Sequence, residues 1–116
     1  MKYYEIELDG ETIKFRLTTA DCKEIERKHN KSILDFIGDI SITTMSELIR
    51  YMRRSDVPNF SERDAEALFD KLIDNGYTLK TIYENIIQET LIVSGFLAKT
   101  DLQQVKQEKA TESNHS

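Results

Sequence analysis

The sequence has few of the residues from which metal and phosphate sites are commonly built. It contains one cysteine and two histidines among 116 residues, which excludes an internal disulfide and a zinc site built on paired cysteines. The four glycines stand at positions 10, 38, 76 and 95, too far apart for a loop that cradles a phosphate. We therefore expect no metal ion and no cofactor.

Long apolar runs are also missing. No stretch approaches the roughly 18 apolar residues that cross a bilayer. Residues 1–7 alternate acidic and apolar side chains and lack the apolar segment of a signal peptide. Apolar residues make up 39% and charged residues 32% of the chain, a balance typical of a folded globular protein. We expect an intracellular protein with no membrane partner.

Basic residues are in the minority. The chain has 16 lysines and arginines against 21 aspartates and glutamates, which gives a net charge of −5. Proteins that hold nucleic acid through phosphate contacts usually carry a basic face or a basic total. The composition therefore predicts no nucleic-acid partner.

The chain length indicates one domain. The interior has no linker and no repeat, whereas residues 99–116 are polar and contain no aromatic side chain. We predict a folded domain over residues 1–98 and a disordered polar tail over residues 99–116.

Two short segments near the start of the chain alternate apolar and polar residues. Asp9-Gly10 between them is the residue pair typical of a tight hairpin turn, because both residues adopt positive φ readily. The outer edges of such a two-stranded sheet are open to self-association. The side chains predicted to share its apolar face are Tyr4, Ile6, Leu8, Ile13, Phe15 and Leu17.

The chain then changes to helical patterns. Thr18 followed by Asp21 is close to a capping box that opens a first helix, and Asn30 is a suitable residue to end it. Ser32 then begins a short helix that Gly38 ends.

Three further helices follow. Residues 44–47, Thr-Met-Ser-Glu, match a full capping box, so the third helix is predicted to begin there. Residues 55–60 contain the only proline and form a loop. Ser61 caps the fourth helix, Gly76 ends it, and Tyr77 stands where a Schellman motif places its apolar contact.

Thr78 opens the last and longest helix. Its predicted buried face consists of Leu79, Ile82, Tyr83, Ile86, Ile87, Val93 and Leu97. The sequence therefore predicts an α+β, mostly α fold, in which an N-terminal two-stranded antiparallel β-hairpin precedes four to five helices in a compact bundle.

Candidate catalytic residues have no partners in the sequence. Cys22 lies seven residues before His29, two helical turns away, so the histidine is too distant to activate the thiol. We interpret Cys22 as a small buried residue and His29 as a favourable charge near a helix end. We interpret the grouped carboxylates as solvent-exposed surface rather than as catalytic groups: Asp35, Asp39, Glu62, Asp64 and Glu66. We predict a protein that is not an enzyme.

Two surfaces remain as candidates for partner binding. Arg50, Arg53 and Arg54, together with Tyr51, are placed on the outer side of the third helix. This cluster is either a solvated face of an acidic protein or a contact for an acidic partner or nucleic acid.

The second candidate lies on the last helix. Ile92 and Phe96 are one turn apart and lie beside the main apolar face. They either pack against the hairpin or remain outside the core as a docking surface for another chain.

The order of these elements resembles the tail assembly chaperones of long-tailed bacteriophages and prophages. The resemblance covers about residues 3 to 97 and depends on order and spacing rather than on one diagnostic residue. The segments that carry it are the hairpin at residues 6–19, Ile-Glu-Arg-Lys at 25–28, Lys-Ser-Ile-Leu at 31–34, Thr-Met-Ser-Glu-Leu at 44–48, the helix at 65–73 with Gly76, and Ser-Gly-Phe at 94–96.

The resemblance implies a non-enzymatic role in virion morphogenesis. Proteins of that family bind the tape measure protein, which is prone to form coiled coils, and keep it soluble until tail tube subunits polymerise around it. The resemblance thus implies the tape measure protein as a partner, the tail tube protein as a second one, and the cytoplasm of a bacterial host as the location. It also implies absence from the mature virion and, in many members, a longer form made by ribosomal frameshifting.

Two other functions compete with this one. A small phage or bacterial DNA-binding regulator would use the third and fourth helices as a helix-turn-helix, but the fourth helix offers only Arg63 and Lys71 among five acidic residues. A structural connector subunit of the virion would instead be found in purified particles.

Overall fold

The structure, a computed structural model, describes residues 2–100. A two-stranded hairpin precedes the helices, and the fold is α+β and mostly helical, as predicted. The predicted tail lies outside the described residues from position 101 onward. The elements are β1 (Tyr4–Leu8), β2 (Glu11–Phe15), α1 (Thr19–His29), α2 (Ile33–Ile37), α3 (Ile42–Arg54), α4 (Glu62–Asp74), and a last helix made of α5 (Leu79–Ile82), a π-helical segment (Tyr83–Ile87) and α6 (Gln88–Val93).

The hairpin turn has the predicted residues and geometry. Asp9 and Gly10 both have positive φ, 51° and 81°, the combination that a two-residue primed turn requires. The strands pair antiparallel from Leu8 opposite Glu11 to Tyr4 opposite Phe15. The predicted apolar face is confirmed, because its members are buried or packed against the core: Tyr4, Ile6, Leu8, Ile13, Phe15 and Leu17.

Most helix ends coincide with the predicted capping residues. Thr18 and Ser61 each form a full capping box with the acidic residue three positions later. Asn30 ends α1 in the left-handed conformation, and Ser32 caps α2. These ends were predictable because a cap is a local interaction between a short side chain and a backbone N–H a few residues away.

The predicted start of α3 was wrong. The helix begins three residues earlier, and its N-cap is Ser41, whose hydroxyl accepts a hydrogen bond from the Thr44 N–H at 3.1 Å. Thr44 is itself buried inside the helix and donates its hydroxyl to Asp39 at 3.1 Å. Glu47, predicted as the second half of a capping box, therefore lies in the second turn, where it is free to pair with cations.

The end of α4 is the predicted Schellman motif. The Tyr77 N–H donates to the Leu72 carbonyl and the Gly76 N–H donates to the Ile73 carbonyl, both at 3.1 Å. Gly76 has φ of 94°, which a residue with a side chain adopts only with strain. Tyr77 folds back and packs against the core.

The last helix differs from the predicted regular α-helix. Its central turn, Tyr83–Ile87, is π-helical, and a π turn contains more residues than an α turn. The buried positions consequently recur every fourth residue, as 82, 86 and 90 and as 87 and 91. Leu91 and Thr90 are buried in place of the predicted Leu79, which is exposed, and Val93, which is half-buried.

One core joins the hairpin to the helices. α3 packs against β2, α4 and the π-helical segment, and α6 packs against β1. Within residues 2–100, no helix has both the length and the apolar character that crossing a membrane requires.

Candidate functional site

The arginine cluster at the end of α3 is not the outer surface that the sequence predicted. Tyr51 is 1% exposed, so its placement on the outer side was wrong. Tyr51 lies three residues after the buried Leu48, and this spacing places both residues on one helix face. The burial of Tyr51 was therefore predictable from the sequence. The Arg50 and Arg54 guanidinium groups lie 4.5 and 5.1 Å from the Tyr51 ring centre.

The three arginines are engaged with neighbours in the same chain. Arg50 pairs with Glu47 at 3.1 Å, and Arg54 pairs with Glu24 at 3.5 Å. Arg53 donates to the Lys14 carbonyl at 2.7 Å. Their charged groups cover apolar surface and are balanced locally, which is typical of arginines with a structural role.

The second predicted surface, Ile92 and Phe96, is half-buried. Phe96 packs against the core, and its N–H donates to the Leu91 carbonyl at 2.9 Å, while Gly95 donates to Ile92 at 3.0 Å. The last helix therefore ends in a second Schellman motif. Ser-Gly-Phe at 94–96 repeats the pattern of Asn-Gly-Tyr at 75–77, a signal from which this second motif was also predictable.

Among residues 2–100, the large apolar side chains with the highest exposed fractions lie elsewhere, on what we call the α2–α3 corner: Leu34, Ile40 and Ile42. Their exposed fractions are 63%, 50% and 56%. α2 has only five residues and buries Phe36 and Ile37, so Leu34 points away from the core. These three residues lie within nine positions of the chain, and no sequence pattern predicted their exposure.

A groove adjoins the corner through Ile42. It has a volume of about 180 Å³, and it lies between the end of α1, the first turns of α3 and the start of α4. Its lining residues are Lys28, Ile42, Thr43, Ser46, Glu47, Arg50, Glu62 and Glu66. Ile42 is thus the apolar residue in a groove whose other lining residues are polar or charged, with charges of both signs.

Glu47 is the centre of the charges in this groove. Its carboxylate lies 2.8 Å from Lys28, 3.1 Å from Arg50 and 3.3 Å from His29. Burial raises the pKa of Glu47, but hydrogen bonds from Lys28 and Arg50 outweigh burial, and the pKa lies below its ordinary value. The carboxylate is therefore ionised at neutral pH and holds α1 against α3.

Cys22 and His29 occupy structural positions. Burial, reinforced by the nearby Asp21 and Glu26 carboxylates, raises the pKa of the Cys22 thiol to about 11, so the nucleophilic thiolate is scarce at neutral pH. The His29 ring stacks on Phe36 with 4.6 Å between ring centres. Across residues 2–100, no group of three or more histidine, cysteine, aspartate or glutamate side chains is arranged to hold a metal ion.

The corner and its groove suit an amphipathic helix. Such a helix has an apolar stripe flanked by charged residues, and here an apolar corner adjoins a groove lined by lysine, arginine and glutamate.

Comparison with protein-family models, with curated proteins and with solved structures found no match to this chain.

Proposed function

We propose that this protein is a tail assembly chaperone of a long-tailed bacteriophage or prophage, which binds the tape measure protein and keeps it soluble. The observation that supports the proposal best is the α2–α3 corner, where three large apolar side chains are exposed within nine positions of the chain and one of them, Ile42, lines a groove that carries charges of both signs. In this role the protein acts in the cytoplasm of a bacterial host, catalyses no reaction and leaves the virion before it is complete.

The client's chemistry suits the corner. A tape measure protein prone to form coiled coils presents long amphipathic helices, whose apolar stripes aggregate unless they are covered. Leu34, Ile40 and Ile42 supply an apolar surface for such a stripe, and the groove supplies charges for its flanks.

The expected affinity of one such contact is low. Fully burying an aliphatic side chain contributes about 1.5–3 kcal/mol, and the corner residues are already about half buried. Their combined gain of roughly 3–5 kcal/mol is similar to the smallest estimates for the cost of association, about 4 kcal/mol. Stable capture therefore requires several chaperone molecules along one client, which a long client with repeated helical stripes permits.

The experiment is co-expression with the tape measure protein of the same genome. We expect the wild-type protein to raise the soluble fraction of the client, and the double variant Leu34→Ser/Ile42→Ser to lose most of this effect. The control is Ile73→Ser/Leu79→Ser, which removes two exposed apolar side chains outside the corner and should leave the effect intact. A client whose solubility does not depend on the wild-type protein would refute the proposal.

A further inference from the structure

The two outer edges of the hairpin differ in whether another part of the chain covers them. In an antiparallel pair closed by a two-residue turn, the residues next to the turn exchange hydrogen bonds, and every second pair along the strands does the same. Here these pairs begin with Leu8 and Glu11. Glu5 and Glu7, on β1, therefore direct their backbone N–H and C=O groups away from β2.

The outer edge of β2 is covered by the end of α3. Arg53 donates to the Lys14 carbonyl at 2.7 Å. The Arg16 N–H donates to the Met52 carbonyl at 2.9 Å, and the Ser55 hydroxyl donates to the Arg16 carbonyl at 3.5 Å. No strand can add to this side without displacing the end of α3.

The outer edge of β1 has no such cover. Within the described part of the chain, no backbone hydrogen bond beyond those of the hairpin reaches Glu5 or Glu7, and both residues are exposed. Four backbone groups therefore point outward from β1 without a backbone partner among residues 2–100, and such an edge is a template for strand addition.

The charges on β1 favour one kind of strand over another as the partner of this edge. A second copy paired antiparallel about Ile6 would place Glu5 opposite the other copy's Glu7 and Glu7 opposite its Glu5, and like charges directly opposite one another destabilise a sheet. Glu89 lies near Tyr4 of β1, and its charge adds to the effect of burial in raising the Tyr4 pKa. On the outer face of the hairpin, Glu5 already lies opposite Lys14, whereas Glu7 lies opposite Thr12. Two carboxylates on β1 with one basic cross-strand partner favour a basic strand at this edge.

We propose that the outer edge of β1 binds an extended segment of another protein that carries lysine or arginine at alternate positions, and that this segment adds as a third strand of the sheet. Backbone hydrogen bonds to Glu5 and Glu7 supply the pairing, and the glutamate side chains select basic residues. This inference does not depend on the proposed chaperone function.

The test uses a short synthetic peptide that alternates lysine and valine. We expect it to bind the wild-type protein and to slow hydrogen exchange at the Glu5 and Glu7 amides. The variant Glu5→Lys/Glu7→Lys should weaken binding about tenfold or more, because two favourable cross-strand pairs become unfavourable. Glu7→Pro, which removes one outward N–H and is tolerated at a sheet edge, should weaken binding more than Glu7→Gln.

The matched control is Asp70→Lys/Asp74→Lys, the same change of charge at two exposed positions of α4. Equal weakening by this control would show that the peptide responds to net charge alone and would overturn the proposal. Binding without added protection of the Glu5 and Glu7 amides would overturn it as well. If those amides are already protected in a dimer of the free protein, the occupant of the edge is a second copy and the proposal is wrong.

Discussion

The α2–α3 corner and the end of the last helix look alike in sequence but differ in structure. In each, a helix ends near a glycine, and an apolar residue follows one or two positions later. At the end of the last helix, Gly95 has φ of 91°, and Phe96 folds back onto the core. At the corner, Gly38 has φ of −76°, and Ile40 is 50% exposed.

The difference arises because the glycine at the corner stands one residue closer to its helix than the glycine after the last helix does. A Schellman motif needs a left-handed residue at the first position beyond the C-cap. Gly95 stands at that position, since Ser94 is the C-cap, whereas Gly38 is itself the C-cap of α2. Asp39 then occupies the position that requires left-handed geometry, and the chain does not reverse. An apolar residue after a helix is therefore buried or exposed according to which residue precedes it.

The largest expected effect on stability appears when one leucine from each region is replaced. Leu91 is 1% exposed, and Leu34 is 63% exposed. Leu91→Ala should lower the free energy of unfolding by about 2–5 kcal/mol, because it leaves a cavity in the core. Leu34→Ala should change it by less than about 0.5 kcal/mol. Urea unfolding followed by circular dichroism measures both, and similar losses for the two variants would contradict the comparison.

The two glycines provide the next test. Gly95→Ala should destabilise the protein by roughly 1–2 kcal/mol, because alanine must adopt a left-handed conformation. An added Cβ at Gly38 would meet only two backbone oxygens at 3.5 Å, an ordinary contact distance. Gly38→Ala should therefore stabilise the protein by about 0.4–1 kcal/mol through the unfolded chain. A lower melting temperature for Gly38→Ala would show that the corner needs glycine for another reason.

The smallest effect concerns Glu47 in the groove beside the corner. Its pKa is lower in the folded protein than in the unfolded chain, so its contribution to stability is complete above the ordinary pKa of about 4.3 and is lost as the pH falls through the folded value. Glu47→Gln should cost roughly 1 kcal/mol at pH 7. The difference between the two proteins should begin to narrow below the ordinary pKa and close as the pH falls through the lower pKa of the folded protein. A difference that does not vary with pH would show that the ion pairs do not contribute.

The features predictable from sequence were those that depend on interactions between residues close together in the chain. The Asp9-Gly10 turn, the Thr18 and Ser61 caps and the Gly76 end each depend on a few consecutive residues. The start of α3 was not predictable in this way, because Ser41 and Thr44 are both good N-caps. The choice between them depends on burial of Thr44 and on its bond to Asp39.

The candidate site was harder to predict than the fold. Tyr51 has three arginines close to it in sequence, which suggested an exposed face, yet an arginine can extend over a buried aromatic ring and keep its charge in solvent. The exposure of Leu34, Ile40 and Ile42 depends on how a five-residue helix is oriented against α1 and α3, and no periodic pattern in so short a segment fixes that orientation.

The contact between the hairpin and the last helix affects the order in which the protein can fold during synthesis. The Leu17 N–H donates to the Ser94 hydroxyl at 3.0 Å across 77 positions of the chain, and α6 packs against β1. The hairpin is synthesised first, and α6 is synthesised last. The part of the hairpin's apolar face that α6 covers must therefore stay exposed until the last helix emerges, although α3 can pack against β2 earlier, and such exposed apolar surface is prone to aggregate.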